Sequence, residues 1–223
     1  MQKQRLIIVN TMVRPMNLET ELKRMLERTK KDIIGEKELN KIMVIECKDD
    51  LVPLVSCIPD TIIAMTEQRR RFPDETLYAR KSVVGSLSKA RNLLQQQGDY
   101  RFMVFDAFRP ISIQQQWYDE TYARIAAKNP LWSPDQIRAE TFIYIFPPSY
   151  DFQTPPPHST GAALDLTLAD RTGRPLDMGS EYSDFDNPAI YTNAEGISFN
   201  QRANRILLVS VMARAGFMSY PGE

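Results

Sequence analysis

Residues 82–128 constrain the fold of this chain more than any other stretch. Their pattern changes from helix to strand and back to helix, with a glycine or a proline at each change. Residues 82–97 place apolar side chains on one helical face, and Gly98 ends that pattern. Residues 100–106 are rich in aromatic and β-branched side chains, which favours a strand. Pro110 then suits the first turn of a helix over residues 111–128. This order predicts a domain that mixes helices and strands.

Weaker patterns extend the prediction along the chain. Ser133 to Gln136 has the form of a capping box, which opens another helix. The remaining predictions are strands at 41–47, 161–168 and 217–220, irregular chain at the prolines of 52–59, loop over 171–196, and a helix from its cap at Asn200 to Arg214. Together these elements favour an α+β fold with a small, mainly antiparallel sheet flanked by helices.

The chain is predicted to have two parts and no strongly charged partner. Residues 1–40 are highly charged with near-helical apolar spacing, which predicts an N-terminal helical extension, and residues 41–223 form the main domain. The 28 basic and 28 acidic residues balance, which argues against nucleic acid as a partner. The sequence has neither a membrane-length apolar run nor a signal-like segment. The expected location is therefore the cytoplasm, away from any membrane.

The histidine count limits the chemistry. His158 is the single histidine of the chain, so a mechanism that needs two histidines from this polypeptide is excluded. His158 follows the prolines of 155–157, which stiffen its loop, and Asp165 comes seven residues later in the predicted strand. Imidazole nitrogen and carboxylate oxygen are natural zinc ligands, and a bend at Gly161 can bring the two together. The alternative is that both residues are structural or lie at the surface, the commoner role for such a pair.

Two further positions carry candidate chemistry. Arg109 follows the predicted strand and can donate two fixed hydrogen bonds to a carboxylate or to a developing oxyanion. The alternative is a simple turn bridge between Asp106 and Arg109. Glu223 ends the sequence, and taken alone it is most simply a solvated end.

Five segments, in this order, resemble the VanX-type D-alanyl-D-alanine dipeptidases, which belong to the zinc DD-peptidases with the hedgehog-like α+β fold. The segments are RKSV at 80–83, FDAFRP at 105–110, HSTGAALDLTL at 158–168, DMGSEYSDFD at 177–186 and NRILLVSVMARAGF at 204–217. The family's usual forms of the last four are close to WDAYRP, SHSxGxAxDLTL, PMGxxFDxF and NRxLLxxxMxxxGFxxxxxEWWH. The resemblance covers roughly residues 41–223.

The resemblance implies a site and a substrate. It implies one zinc ion held by His158 and Asp165, Arg109 stabilising the tetrahedral intermediate, and Glu223 in the place of the general base. The implied substrate is the small dipeptide D-alanyl-D-alanine. Substrate-binding positions carried over from the family are Ser159 and an acidic residue that is either Asp184 or missing.

The family's third zinc ligand is a histidine three residues beyond Glu223, and this chain has no such residue. We therefore expect zinc to bind weakly or not at all, and this polypeptide to be nearly inactive as a truncated form. One alternative is a catalytically inactive relative that binds peptides or cell-wall fragments. Another is an enzyme for an L,D-dipeptide or a longer muropeptide. The sequence also leaves open whether the chain forms a homo-oligomer.

Overall fold

The computed structural model describes residues 44–66, 76–182, 184, 187, 189 and 194–219, together with the backbone of residues 5–7. The strands in this part of the chain are β1 (Arg5–Ile7), β2 (Leu51–Pro53), β3 (Ile62–Ile63), β4 (Tyr78–Arg80), β5 (Arg101–Asp106), β6 (Ala163–Ala169) and β7 (Met218–Ser219). The α-helices are α1 (Leu54–Cys57), α2 (Lys81–Gln95), α3 (Ile111–Lys128), α4 (Pro134–Tyr144) and α5 (Phe199–Arg214). A 3₁₀ turn, Pro157–Thr160, precedes β6.

The strands form a main sheet and a small second sheet. The main sheet has the order β3-β5-β6-β1-β7, and β2 pairs with β4 separately. Only β3 and β5 run parallel among the strand pairs of the described residues, and the other pairs are antiparallel. The predicted α+β fold with a small, mainly antiparallel sheet is confirmed.

Strand β6 is the centre of the main sheet and carries a buried charge. All seven of its residues are buried, including Asp165. The antiparallel register with β5 sets Asp106 opposite Asp165, with a register shift between Val104 and Asp106. Burying a carboxylate costs free energy unless it is paired or binds a cation. The fold therefore places two acidic groups side by side where water has little access.

The helices close the core around this sheet. Helix α2 buries Val83, Leu87 and Leu94 in a cluster that also holds side chains of β5, β6 and α5. Helix α4 begins at the capping box of Ser133 and Gln136, as the sequence predicts. Within the described residues, none of the helices combines the length and hydrophobicity that crossing a bilayer requires.

Three details of the sequence prediction differ from the structure. Of the strand predicted at 41–47, residues 44–47 form no strand, and residues 41–43 lie outside the described residues. Residues 51–57 are regular despite their prolines, because Pro53 lies at the end of a strand in a two-stranded sheet, where no further partner needs its missing N–H. Helix α5 is capped by Ser198 and not by Asn200, since Ser198 forms a capping box with Gln201.

The predicted N-terminal extension is largely outside the described residues. Of residues 1–40, the structure describes the backbone of Arg5–Ile7, which lies between β6 and β7 in the main sheet. The division at residue 40 stays a prediction.

Gly161 ends the 3₁₀ turn in a left-handed conformation. Its φ is 74°, and an added Cβ would lie 2.6 Å from Leu51 Cδ2 and 3.3 Å from Arg80 Cγ. Arg80 also holds this turn, because its backbone N–H donates to the Gly161 carbonyl and its Nε to the Thr160 carbonyl, both at 2.9 Å. The turn that carries His158 therefore has little room to move.

Replacing Gly161 by alanine should destabilise the fold. Left-handed backbone strain and the contact with Leu51 should lower the free energy of unfolding by about 1–3 kcal/mol, measured by urea denaturation. Gly85→Ala is the matched control, because Gly85 lies in α2 with nothing within 4 Å of an added Cβ. That control should gain up to about 1 kcal/mol from helix propensity. A Gly161→Ala protein as stable as wild type would contradict this account of the turn.

Candidate functional site

The 3₁₀ turn places His158 against the segment that follows β5. His158 is buried, and its backbone carbonyl accepts a hydrogen bond from the N–H of Arg109 at 3.1 Å. The hydroxyl of Ser159 donates to the Arg109 carbonyl at 2.9 Å. Two hydrogen bonds therefore tie the two segments together, and proline at the start of the turn limits its backbone.

A hydrogen bond fixes the tautomer of the imidazole. His158 Nδ1 lies 2.7 Å from the carbonyl oxygen of Ala107. A carbonyl oxygen can only accept, so Nδ1 carries the proton and donates it. In the neutral ring, Nε2 then presents a lone pair. The strand end thus orients the imidazole and sets which nitrogen is free to bind a cation.

His158 Nε2 faces a carboxylate at a separation that suits a shared cation. Nε2 makes no hydrogen bond within the described part of the chain and lies 3.3 Å from Asp165 Oδ1. Both side chains are fully enclosed, at 1% and 0% exposure. Two ligands about 2.1 Å from one tetrahedral zinc ion lie about 3.4 Å apart. The residues present therefore fit a metal ion, and a cation between the two atoms would relieve the repulsion of their lone pairs.

Asp106 lies beside this pair with its oxygens already engaged. Among the described residues, Asp106, His158 and Asp165 are the acidic and imidazole groups close enough to hold one ion. However, Asp106 Oδ1 accepts from the Ala107 N–H at 2.9 Å, and Oδ2 accepts from both Nε and Nη2 of Arg109. Its Oδ2 is 3.7 Å from Nδ1 of His158, the protonated nitrogen. Asp106 therefore orients Arg109 and has the weaker geometry for a metal ligand.

Arg109 is held on its other sides by helix α3. Nη1 donates to Gln114 Oε1 at 2.7 Å, and Gln114 Nε2 donates to the Phe146 carbonyl at 2.6 Å. The guanidinium carbon lies 4.3 Å from the centre of the Trp117 ring, a cation–π contact. Of the five N–H groups of an arginine, two have no partner within the described residues. Arg109 is thus rigid, buried and still able to donate.

The segment after β6 is anchored by α5. Buried Arg205 donates from Nε to the Met178 carbonyl at 2.6 Å and from Nη2 to the Ala189 carbonyl. Burial lowers the pKa of Arg205 to about 10, so it stays charged at neutral pH. Hydrogen bonds from the Gln201 side chain and from the backbone N–H of Gly179 hold the pKa of Asp177 below its usual value. Helix α5 therefore fixes the start of this segment at several points.

The structure brings some of the predicted site residues together. His158, Asp165 and Arg109 meet through Ala107 and Asp106. Ser159 follows His158, and its hydroxyl donates a hydrogen bond to the Arg109 carbonyl. Asp184 contacts Asn187, whose side chain donates to it at 3.0 Å. Glu223 lies outside the described residues.

Sequence reasoning missed three side chains that complete this arrangement. Gln114 and Trp117 hold Arg109, and the Tyr182 hydroxyl donates to Asp165 Oδ2 at 3.3 Å. Gln114 stands in a run of three glutamines, which resembles a solvent-facing stretch. For Tyr182 the sequence does offer an indication, because a tyrosine stands where the family motif PMGxxFDxF has phenylalanine.

Comparison with known proteins gives a consistent family. A sequence profile described as D-ala-D-ala dipeptidase matches residues 63–223. The chain is 38% identical over 162 residues to a D-alanyl-D-alanine dipeptidase of Synechocystis sp., covering 65% of this chain and 66% of that protein. It is 32% identical over 142 residues to one of Enterococcus faecium, covering 62% and 66%, and 28% identical over 143 residues to one of Escherichia coli, covering 64% and 62%. The matched regions thus span slightly less than two thirds of each relative's length.

Removing the Gln114 amide should destabilise the protein. Gln114→Leu keeps the volume but leaves Arg109 Nη1 and the Phe146 carbonyl without their partner, which should cost about 1–3 kcal/mol in urea denaturation. Gln116→Leu on the same helix is the control, because its side chain is exposed and bonds Glu120. That control should stay within about 0.5 kcal/mol of wild type. Equal stabilities of the two variants would show that the Gln114 bridge has no energetic role.

Proposed function

Because this chain belongs to the D-alanyl-D-alanine dipeptidase family, we propose that it is a zinc-dependent dipeptidase for D-alanyl-D-alanine. The observation that supports this most is the fully buried pair of His158 Nε2 and Asp165 Oδ1, 3.3 Å apart. Two further findings support the proposal. The relatives are named D-alanyl-D-alanine dipeptidases, and their matches cover 62–65% of this chain. A cytoplasmic location stays a prediction.

His158 and Asp165 are the proposed zinc ligands. Zinc, when bound, would lower the pKa of a water molecule toward about 7 and polarise the peptide carbonyl. His158 keeps its ring in the ligating orientation through the Nδ1 hydrogen bond to the Ala107 carbonyl. Both ligands sit on rigid elements, one on a proline-limited turn and one in the central strand.

Arg109 is the proposed electrostatic group for the transition state. Asp106 balances its charge in the ground state, and Gln114 and Trp117 keep the guanidinium from rotating. The two N–H groups without a partner among the described residues then donate to the oxygen of the scissile carbonyl as negative charge develops there. A donor that is already oriented in an enclosed site loses little free energy to reorganisation when the charge forms.

Two further roles come from the resemblance. Glu223 is proposed as the general base that removes a proton from water and returns it to the leaving amine. The third zinc ligand of the family is a histidine three residues beyond that glutamate, and the 223 residues contain His158 alone. Asp184 is the proposed partner of the substrate ammonium, and Ser159 a further substrate contact.

Zinc affinity tests the ligand pair directly. His158→Ala and Asp165→Asn should each weaken zinc binding by more than about 100-fold in a chelator competition, since a lost ligand costs more than a lost outer-shell partner. Asp135→Asn, at an exposed carboxylate of α4, is the control and should bind as wild type. Zinc bound equally well without His158 would contradict the proposed centre.

Activity tests the reaction. Appending Trp-Trp-His after Glu223 should increase zinc-dependent release of D-alanine from D-alanyl-D-alanine more than appending Trp-Trp-Ala, because only the first adds a histidine at the position of the family's third zinc ligand. Adding Arg109→Lys to the active protein should lower kcat by about 100-fold or more, as for loss of an oxyanion donor. Dipeptide binding without hydrolysis in the extended chain would favour the alternative of a binding protein. Hydrolysis rates for stereoisomeric dipeptides and longer muropeptides would show whether the protein prefers one of these to D-alanyl-D-alanine.

A further inference from the structure

Tyr182 connects the segment after β6 to the central carboxylate. Its ring stacks on Phe105 with the centroids 4.1 Å apart and the planes 7° from parallel. From that position its hydroxyl donates a hydrogen bond to Asp165 Oδ2 at 3.3 Å. The phenol thus combines an apolar contact that fixes its ring with a polar contact at the candidate metal site.

The two oxygens of Asp165 face different groups. Oδ1 lies toward His158 Nε2, and Oδ2 lies toward the Tyr182 hydroxyl. A carboxylate that binds a metal through one oxygen is oriented by a hydrogen bond to the other, and such outer contacts typically change metal affinity about 10- to 100-fold. The geometry around Asp165 has this form.

The ring of Tyr182 is held by the strands that carry the site. Phe105 immediately precedes Asp106 in β5, and β5 pairs with β6, where Asp165 lies. A stacked aromatic pair of this kind stabilises the structure beyond the contribution of the apolar area that it buries. Phe105 therefore fixes the phenol relative to both acidic residues, and not only relative to its own segment.

We propose that Tyr182 is a positioning residue for the metal ligand Asp165. Its hydroxyl holds the carboxylate so that Oδ1 faces His158, and its stacking on Phe105 makes this orientation specific. The inference rests on the proposed function in one respect, namely that His158 and Asp165 hold the zinc ion.

A consequence follows for the segment that carries Tyr182. Tyr182 lies two residues before Asp184, the proposed partner of the substrate ammonium. If Tyr182 contacts the ligand more favourably when the ion is bound, then the ion must in turn stabilise the segment, because coupling between two sites is reciprocal. Zinc should therefore increase the protection of the amides of residues 177–182 from hydrogen exchange, and loss of the hydroxyl should reduce that increase.

Tyr182→Phe tests the proposal with little risk to folding, because phenylalanine keeps the ring that stacks on Phe105. The hydroxyl loss should weaken zinc binding by about 10-fold in a chelator competition. It should also shift the visible absorption bands of the Co²⁺-substituted protein, a signature that reports on the ligand field and not on stability. Tyr150→Phe is the matched control, since Tyr150 is 68% exposed, and it should change neither value.

Each outcome separates this proposal from the proposed function. Weaker zinc binding by Tyr182→Phe, with a shifted Co²⁺ spectrum and an unchanged Tyr150→Phe protein, supports it. If His158→Ala weakens zinc binding but Tyr182→Phe matches wild type in affinity and spectrum, the role of Tyr182 is wrong and the metal centre stands. If His158→Ala binds zinc as wild type does, the metal centre and the role of Tyr182 are both wrong.

Discussion

The hydrogen bond between His158 Nδ1 and the carbonyl of Ala107 is the contact on which the rest of the site depends. It joins the turn before β6 to the end of β5, so it brings together segments that are some fifty residues apart in sequence. It also decides which nitrogen of the ring is protonated. With that proton on Nδ1, the Nε2 lone pair points at the carboxylate of Asp165, which is the arrangement that the proposed zinc site requires.

Around this contact the molecule buries a connected set of polar groups. Asp106 links Ala107 to Arg109, and Gln114 continues the chain of hydrogen bonds to the Phe146 carbonyl between α4 and the 3₁₀ turn. Buried polar groups are costly when partners are missing and rigid when partners are present. The arrangement therefore gives an enclosed arginine a fixed direction, which a flexible surface arginine would lack.

The sequence predicted the elements of this site better than their connections. The helix over 111–128, the strand near 100–106 and the capping box at Ser133 are local patterns, and the structure has all three. Ligand chemistry and spacing make His158 and Asp165 candidates, and the family resemblance implies that they bind zinc, but their 3.3 Å approach depends on the Gly161 turn and on the register of β5 and β6. The turn bridge between Asp106 and Arg109, the alternative interpretation of this pair, is present, and two Arg109 N–H groups have no partner within the described residues. Burial of Gln114 and the reach of Tyr182 come from packing between distant segments, which no local pattern encodes.

A crystal structure of the zinc-soaked protein, with data at the zinc absorption edge, tests the central claim most directly. The account predicts an anomalous peak about 2.0–2.2 Å from His158 Nε2 and from a carboxylate oxygen of Asp165, with Nδ1 still on the Ala107 carbonyl. A peak bound through Nδ1, or zinc found only at sites remote from these two side chains, would contradict it.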